Sequence, residues 1–357
     1  MPAVEARQQP GFSCLLVPVS VANAADGCGR SYDSFFARWF NADVRSAAEK
    51  READVKALPP TALTGLVDLH CHSTASDGIL SPAQLVSRAK SRGVTLLSLT
   101  DHDTVAGIPE ARAAAAEQGI SLVPGIEFSS RWGKQLVHLV GLDVNPESSR
   151  LQQAIQQRDL LRAERAERIA ERLEKRGFAG ALEGARRLAG DGVLGRPHFA
   201  RWLVEAGHVE DAARAFKRYL GAGKCGDVTV EWPQLEETVA EIHGAGGYAV
   251  LAHPLKYGMT RTRLLRLMTA FRAAGGDGVE LLCGRQNPVQ TREVVRLMAE
   301  ASAEAGVPGA LLSSVGSDFH QPDQPWRELG CVQLPADVEP VWNLWQTSAN
   351  ETAATPD

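Results

Sequence analysis

The sequence predicts an α/β fold, a small and irregular seven-stranded barrel with an all-helical insertion. Seven short apolar runs alternate with helical patterns from residue 66 onward, which is typical of a parallel sheet that is buried on both faces. A long charge-rich stretch interrupts this alternation at about 147–230 and contains no convincing strand. The 357 residues, 44% of them hydrophobic, can bury a substantial core.

The first predicted strand, in "LVDLHCH", and the helix after it begin this alternation. The helix in "SPAQLVSRAKSRG" has Ser81 as its N-cap, Pro82 at the first helical position and Gly93 at its end. The buried strand "VTLLSLT" follows, and then a helix that ends on Gly119. Two more strands, in "ISLVPGIEFS" and "QLVHLVGL", complete the first half of the barrel.

A change of period marks the insertion. Residues 150–176 predict one long charged helix stopped by Gly177, whose charges we interpret as a solvated face. Further helical segments continue to about residue 225. The alternation then resumes with strands in "YAVLAHP", "DGVELL" and "ALLSSVGSDFH", each preceded by a helix. One more short strand is expected after residue 330.

The N-terminal part of the chain is not needed for this barrel. Residues 11–25 have the outline of a signal peptide, but no basic cluster precedes them and Pro18 and Ser20 interrupt the apolar run. We therefore expect a poorly ordered extension, or a start codon placed too far upstream, with one short helix within 31–57. The predicted parts are an N-terminal extension, 1–65, a barrel domain, 66–335, a helical insertion within it, 147–230, and a C-terminal tail, 336–357.

Composition excludes several classes of protein. The net charge of −5 and the pI of about 6.0 argue against a general nucleic-acid coat, although a local basic pocket for a phosphorylated substrate remains compatible with them. The six cysteines form no CxxC pair, which indicates reduced thiols in a cytoplasmic protein. No apolar run reaches the ~18 residues that a membrane span requires.

Histidines and acidic residues collect at or near the ends of the predicted strands, where α/β barrels carry their chemistry. One of them, His138, lies within its strand. A single buried histidine is more often a hydrogen-bonded core residue than a ligand. Burying this many ionisable groups without metal, however, would cost far more than a domain's ~5–15 kcal/mol of net stability. The predicted metal ligands are His70, His72, Asp77, His102, Glu127, His138, His253, Asp318 and His320.

The ligand types indicate the metal and the reaction. Imidazoles and carboxylates suit Mn, Fe or Zn in a catalytic site, and nine ligands are enough for two or three ions. Adjacent ions can bind a shared hydroxide and hold phosphate oxygens, so phosphoester hydrolysis is the leading reaction class. We interpret His208 and His243 as structural or exposed and leave the role of His198 open.

The stretch "HCHSTASD" contains four potential ligands. Successive side chains of a strand point to opposite faces. His70 and His72 should therefore face the barrel mouth together, while Cys71 points away into packing. Asp77 lies on the following loop, from which it can reach a different ion.

The motifs "DLHCHSTASDG", "LTDHDT", "PGIEFS", "LAHP" and "GSDFH" occur in this order and resemble those of the PHP (polymerase and histidinol phosphatase) family over about residues 66–330. The insertion, with "GRPHFAR" and "YLGAGKCGDV", resembles the subfamily of RNase AM and the 3′,5′-nucleoside bisphosphate phosphatases. The resemblance implies a distorted seven-stranded barrel and three metal ions. It also implies three ligand groups: His70, His72, Glu127 and Asp318; Glu127, His138 and His253; and Asp77, His102 and His320.

The same resemblance implies a phosphate clamp of Arg196, Arg201 and Lys224. Guanidinium forks suit phosphate, and Arg196 and Arg201 flank a predicted helix start. Lys224 lies in the glycine-rich "GAGKCG", whose backbone N–H groups could also face an anion. Arg131 and Lys134 are weaker candidates for the clamp.

The expected function is hydrolysis of the 5′-phosphate of 3′,5′-bisphosphate nucleotides, degradation of short 5′-phosphorylated RNA in the 5′ to 3′ direction, or both. The expected nucleophile is a hydroxide bound by the metals, Mn or else Mg, Fe or Zn, rather than a side chain. The clamp would hold a second phosphate. We expect no membrane association and no obligate protein partner. Two alternatives are a phosphatase for histidinol phosphate or another small monoester, and an inactive PHP module that binds a ligand.

Overall fold

The computed structural model describes residues 65–345 and contains one seven-stranded sheet whose strands follow one another in chain order. Leu69 N donates to Val315 O at 3.0 Å, and Asp318 N donates to His70 O at 2.8 Å. These bonds join the segment after the first strand to the last strand and to the segment that follows it, so the sheet nearly closes into the predicted barrel. The strands are β1 (Leu66–Asp68), β2 (Val94–Leu99), β3 (Ser121–Trp132), β4 (Gln135–Leu142), β5 (Tyr248–Leu251), β6 (Gly278–Cys283) and β7 (Leu312–Gly316).

The direction of β4 departs from the predicted parallel sheet. The pairs β1–β2, β2–β3, β5–β6 and β6–β7 are parallel, but β4 is antiparallel to both β3 and β5. Only Gly133 and Lys134 separate β3 from β4, and Gly133 has a φ of +60°. A two-residue turn can join antiparallel strands only, because a parallel connection needs a crossover of a dozen residues or more. The expectation of an all-parallel sheet was therefore wrong.

Helices fill most of the connections between strands. Ser81 caps the first helix by accepting a bond from Gln84 N, as predicted, and Gly119 at φ +66° ends the second. The helices are α1 (Pro82–Ser91), α2 (Ile108–Gln118), α3 (Ser149–Glu174), α4 (Ala181–Ala189), α5 (Arg196–Glu205), α6 (Ala212–Ala215), α7 (Leu235–Gly244), α8 (Arg261–Ala273) and α9 (Pro288–Glu304), with a π-helical turn at Phe216–Leu220 and 3-10 turns at Pro254–Tyr257 and Pro325–Arg327.

The long charged helix α3 forms where it was predicted, but it is not simply a solvated face. It buries one side along its length, including the guanidinium groups of Arg158 and Arg162. Both arginines bond to residues of the barrel, because a buried cation needs a charged or polar partner. The helix thus attaches the insertion to the barrel.

Buried apolar side chains form separate clusters in the barrel and the insertion. Strand residues such as Leu97 and Phe128 pack under the surrounding helices. A second cluster, on the sheet face opposite the helices, includes Trp345, which is 2% exposed. The insertion has its own core, which contains Phe199 and Leu203.

The predicted strand after residue 330 is not formed. Between residues 331 and 345, pairing with the sheet is limited to one isolated bridge from Pro340 to Ser313. The predicted N-terminal helix within 31–57 lies outside the described residues. Among residues 65–345, no helix is long and apolar enough to cross a membrane.

Candidate metal centre

The fold brings all nine predicted ligands to one end of the barrel. Most lie in segments that directly follow a strand, as the strand-end argument requires. Glu127 and His138 instead lie inside β3 and β4, because β3 continues past its parallel pairing with β2 into the hairpin. Glu127 sits at the change of partner, where an isolated bridge joins it to His102.

Glu127 is fully buried and its two oxygens face different histidines. Oε1 lies 3.0 Å from His138 Nδ1 and 2.9 Å from His253 Nε2. Oε2 lies 2.9 Å from His102 Nδ1 and 3.3 Å from the Nε2 atoms of both His70 and His72. The two oxygens of this carboxylate thus face two different sets of histidines, and each oxygen would be available to a metal ion.

Asp77 and Asp318 are the acidic members of two further groups. Asp318 Oδ1 lies 3.4 Å from His72 Nε2 and 3.6 Å from His70 Nε2. Asp77 Oδ1 lies 3.3 Å from His320 Nε2, and its Oδ2 lies 3.7 Å from His102 Nε2. The donor atoms of His72, Asp77, His102 and His320 all lie within 4.8 Å of one another, as do those of His70, His72 and Asp318.

The two histidines of "HCH" face the same way. Their Nε2 atoms are 3.1 Å apart. Cys71 points to the other side, where it is fully buried and donates its Sγ–H to Ser98 O at 3.1 Å. Burial raises the pKa of the Cys71 thiol well above its usual range, so it remains protonated. These positions make Cys71 a packing residue.

The acidic residues of the centre are ionised at neutral pH. Burial alone would raise the pKa of Glu127, but the adjacent His102 and His70 hold it well below its usual range. Burial likewise opposes ionisation of Asp318, whose pKa is held low by Lys256 and His320. Ionised carboxylates beside imidazole nitrogens are the donor set that divalent transition metals prefer.

Several buried polar atoms of this cluster have no hydrogen-bond partner. Such atoms are rare in folded proteins, because an unpaired buried polar group is costly. Glu127 Oε2 and His102 Nδ1 lie 2.9 Å apart but lack the alignment of a hydrogen bond. Shared metal ions would satisfy these atoms, so the residues fit a metal centre. The unpartnered atoms are His72 Nδ1, Asp77 Oδ1, His102 Nδ1, Glu127 Oε2 and His253 Nδ1.

The sequence did not identify Glu280 as part of the site. Its side chain is 2% exposed, with Oε1 2.9 Å from His70 Nδ1 and Oε2 accepting a bond from His253 N at 2.6 Å. A carboxylate that bonds the far nitrogen of a metal-binding imidazole fixes the orientation of the ring. The available signal was a lone acidic residue within the apolar run "DGVELL".

The loop between His72 and Asp77 is held by another acidic residue that sequence reasoning missed. Asp101 accepts bonds from Ser73 N at 2.8 Å, Ser73 Oγ at 2.6 Å and Ser76 Oγ at 2.6 Å. These bonds fix the loop and thereby the position of Asp77. A carboxylate directly before the predicted ligand His102 was the signal in the sequence.

The candidate phosphate clamp is spread over the insertion. Arg201 Nη2 donates to Asp77 O at 3.0 Å, so its guanidinium lies beside the centre. Arg196 lines a cavity between α3 and α5 together with Arg162 and Arg165. Lys224 is exposed on the loop after the π-helical turn.

The two weaker clamp candidates lie elsewhere. Arg131 pairs with Glu231 at 2.8 Å and donates to Trp232 O at 2.7 Å. Lys134 is exposed in the turn between β3 and β4. Arg131 is bound by other residues and Lys134 points to solvent. Neither side chain lines the cavity that Arg162, Arg165 and Arg196 share.

The other three histidines are not in the cluster. His198 Nδ1 accepts a bond from Gly195 N at 3.1 Å, and burial lowers its pKa to about 4. His243 Nε2 lies 2.8 Å from Asp277 Oδ2. His208 is exposed, with its ring against Phe178. Their partners explain all three without a metal.

Comparison with known proteins finds close relatives in bacteria. Residues 68–232 match the family model of the PHP domain. A 5′-3′ exoribonuclease of Haemophilus influenzae is 45% identical over 282 residues, covering 78% of this chain and 99% of that protein. A 3′,5′-nucleoside bisphosphate phosphatase of Chromobacterium violaceum is 41% identical over 278 residues, covering 77% and 95%. A structure from C. violaceum, described as an amidohydrolase with bound sulfate and no metal, has a TM-score of 0.71 at 39% identity, covering 79% and 96%.

Proposed function

Since this chain belongs to the PHP family, we propose that it is a metal-dependent phosphoesterase for substrates with a 5′-phosphate. It hydrolyses 3′,5′-bisphosphate nucleotides or degrades short 5′-phosphorylated RNA in the 5′ to 3′ direction. The bacterial relatives that carry these activities in their names support the proposal. The observation that carries it is that the nine predicted metal ligands, the nine-residue cluster, are connected to an arginine-lined cavity through Arg162, which pairs with Asp103, the residue after the ligand His102.

The nine-residue cluster would hold up to three divalent ions, with Mn²⁺ the first to test. When bound, the ions would activate water and stabilise charge on the phosphate oxygens. Burial lowers the pKa of His138 to about 4, so this ring is neutral at pH 7 and its lone pair is available to a metal. Glu280 keeps His70 in one orientation through the 2.9 Å contact with its Nδ1.

The arginine cavity has more positive than negative charge. Arg162 is neutralised by Asp103, whose Oδ2 lies 2.6 Å from its Nη2. Arg165 donates to Val228 O, but burial lowers its pKa to about 9, and the charges of Arg196 and Arg162 add to this effect. A dianionic phosphate would relieve this repulsion.

The position of the cavity supports assigning it to the second phosphate of the substrate. Arg196 begins α5 and lines the cavity with its neighbour Gly195 and with Phe199 of the same helix. Arg201, one turn further along α5, reaches the backbone of Asp77 in the nine-residue cluster. One phosphate at the metals and a second in the cavity would be bridged by a single nucleotide. This arrangement favours bisphosphates over simple monoesters.

Phosphate release tests the proposal. Adenosine 3′,5′-bisphosphate, a short 5′-phosphorylated RNA and histidinol phosphate would each be incubated with the protein in Mn²⁺, Mg²⁺ or Zn²⁺. We expect release from the first two substrates at rates well above that from histidinol phosphate. If neither the bisphosphate nor the RNA is hydrolysed with any metal, the proposed function is wrong. Faster hydrolysis of histidinol phosphate would favour the small-monoester alternative.

Arginine variants test the second phosphate site. Arg196→Ala and Arg201→Ala should raise KM for adenosine 3′,5′-bisphosphate about tenfold or more while changing KM for adenosine 5′-monophosphate little. Arg186→Ala, an exposed position in α4, is the matched control. Equal losses on both nucleotides would place Arg196 and Arg201 at the cleaved phosphate instead.

The proposed compartment is the cytoplasm. The four described cysteines, Cys71, Cys225, Cys283 and Cys331, are all free. Reduced thiols are typical of that compartment, whereas exported proteins commonly pair them. Fractionation of cells that express the full chain would test the assignment.

A further inference from the structure

The second carboxylate oxygen of Asp318 faces a pair of cations. Oδ1 lies on the histidine side, 3.4 Å from His72 Nε2. Oδ2 accepts a bond from Lys256 Nζ and lies 3.3 Å from Arg327 Nη1. Lys256 is in the 3-10 turn after β5 and Arg327 in the 3-10 turn after β7, so two separate segments supply the pair.

Both cations form part of the surface of the site. The side chains of Lys256 and Arg327 are 33% and 30% exposed. Lys256 Nζ also contacts Cys283 Sγ at 2.9 Å. With ordinary pKa values well above 7, a lysine ammonium and an arginine guanidinium are both charged at neutral pH. Such a group suits anion binding better than proton donation.

The charge balance on this side changes once metal is present. Asp318 is the carboxylate that both Lys256 and Arg327 contact, and it is also a proposed metal ligand. If Asp318 also held a metal, less of its negative charge would be available to Lys256 and Arg327, and both cations would be less fully compensated. An anion that approaches the metals from solvent would meet both of them.

We propose that Lys256 and Arg327 bind the phosphate group that is cleaved. This inference rests on the proposed phosphoesterase function and extends it, because it assigns the two phosphates to different cations. Arg196 and Arg201 approach from the insertion and take the phosphate that is retained, whereas Lys256 and Arg327 approach from the β5 and β7 side. Charge that develops on the attacked phosphate would be stabilised by donors already in place.

Binding of inorganic phosphate tests this assignment without any turnover. Phosphate would be titrated calorimetrically into Mn²⁺-loaded wild-type protein and into the Lys256→Gln, Arg327→Gln and Lys256→Arg variants. We expect a dissociation constant about tenfold higher or more in each Gln variant, partial recovery in Lys256→Arg, and unchanged metal content. Arg263→Gln, an exposed cation on α8, is the control and should bind phosphate as wild type does.

Two results would overturn the assignment. If the Gln variants bind phosphate as tightly as wild type, the pair does not contact the anion. If weaker phosphate binding follows a proportional loss of Mn²⁺, Lys256 and Arg327 only orient Asp318. Metal content measured on the same samples separates these outcomes from the expected one.

Kinetics separate the pair from the arginine cavity. Lys256→Gln should lower kcat/KM by the same factor, about 10²–10³, for adenosine 3′,5′-bisphosphate and for adenosine 5′-monophosphate. A loss restricted to the bisphosphate would place Lys256 at the retained phosphate and contradict the assignment. If wild type binds phosphate through the pair but hydrolyses neither nucleotide nor the 5′-phosphorylated RNA, the proposed function fails while the phosphate site stands.

Discussion

Glu127 shows how much of the centre depends on single side chains. It is fully buried, and its two oxygens reach histidines that come from different strands, His138 and His253 at Oε1 and His102 at Oε2. A carboxylate with this bridging position can hold two ions at once. The sequence identified Glu127 from its place in "PGIEFS", but only the folded chain shows that its oxygens are divided between two groups.

Cys71 and His72 are neighbours in sequence with opposite expected effects on metal binding. Cys71→Ala should leave the metal content unchanged, because Cys71 Sγ bonds Ser98 O on the side away from the ligands. The small cavity should cost about 1–2 kcal/mol of unfolding free energy. His72→Ala should lower the bound metal per chain. Metal analysis after dialysis checks both variants, and metal loss in Cys71→Ala would show that the thiol is a ligand.

Glu280 and Lys256 mark the limit of residue-by-residue sequence reading. A histidine at a strand end stands out because few other roles explain it there, whereas one glutamate in the apolar run of β6 is easily explained as a solvent-facing strand position. Lys256 follows the predicted ligand His253 by three residues, but an isolated lysine in a loop carries no signal. Their roles depend on which side chains the closed barrel brings to them, and sequence spacing does not contain that information.

Helix α3 illustrates the same limit for a whole element. Its bounds were predicted closely, because a charged 26-residue run without Pro or Gly strongly favours a helix. The solvated-face interpretation describes most of its charged residues but not Arg158 and Arg162, which turn inward. Arg158 Nη2 pairs with Glu241 at 2.8 Å, and Arg162 Nη2 pairs with Asp103 at 2.6 Å. Charge alone does not reveal a partner on another element.

The ion pairs of Asp103 predict a pH dependence of stability. Burial opposes ionisation, but Arg162 and Arg158 lower the pKa of Asp103 below its ordinary value of about 3.9. A folded-state pKa below the unfolded value stabilises the protein above that unfolded value, and the contribution is lost as pH falls through the folded pKa. Asp103→Asn should therefore cost roughly 3–5 kcal/mol at pH 7, because it removes the ion-pair partner of the buried Arg162 guanidinium and leaves Arg158 with Glu241 alone.

Urea unfolding of wild type and Asp103→Asn measures this effect. The difference between them should be large at pH 7 and smaller near the lowest pH at which both remain folded. Other carboxylates titrate in the same pH range. Comparing the two proteins at each pH removes the contribution of those carboxylates to the free energy of unfolding. Asp191→Asn, an exposed position, should match wild type throughout. A difference that does not change with pH would mean that the charge of Asp103 is not its source.

The contact between β7 and the segment after β1 requires glycine at 316. A Cβ added to Gly316 would lie 2.2 Å from His70 Cβ and 2.8 Å from Glu280 Oε1, so His70 would have to move. Gly316→Ala should cost about 1–3 kcal/mol of unfolding free energy and reduce the bound metal. Gly195→Ala is the control. Its new methyl group would lie 3.4 Å from Pro197 Cδ, an ordinary contact, so its metal content should equal that of wild type. Full metal content in Gly316→Ala would show that His70 tolerates the displacement.

For the molecule as a whole, the seven strands of the barrel and their order were predictable, but their directions were not, and the additional strand expected after residue 330 does not form. Each strand is a local apolar run, so counting them requires no tertiary information. The antiparallel β4 depends on the two-residue turn at Gly133 and Lys134. The prediction of a parallel sheet followed the general alternation of strands and helices and gave this short turn too little weight. That hairpin places His138 inside a strand and still at the site, which is why the strand-end rule fitted it least well.

Removing metal should lower the stability of the whole barrel. The proposed ligands come from both ends of the sheet, so each ion would join segments that are far apart in the chain. Binding to the folded state alone contributes about 2.7 kcal/mol per site when free metal is 100 times its Kd. Chelation with EDTA should therefore lower Tm by several degrees, and adding Mn²⁺ back should restore it.

Histidine variants show whether the change in Tm comes from this centre. His243→Ala replaces a ring that pairs with Asp277 outside the nine-residue cluster, so its Tm should still fall on chelation by the wild-type amount. His102→Ala removes a side chain that lies between Glu127 and Asp77, and its response to EDTA should be smaller. A wild-type Tm that is the same with and without metal would show that no ion joins these segments. The barrel would then owe its closure to packing and backbone hydrogen bonds alone.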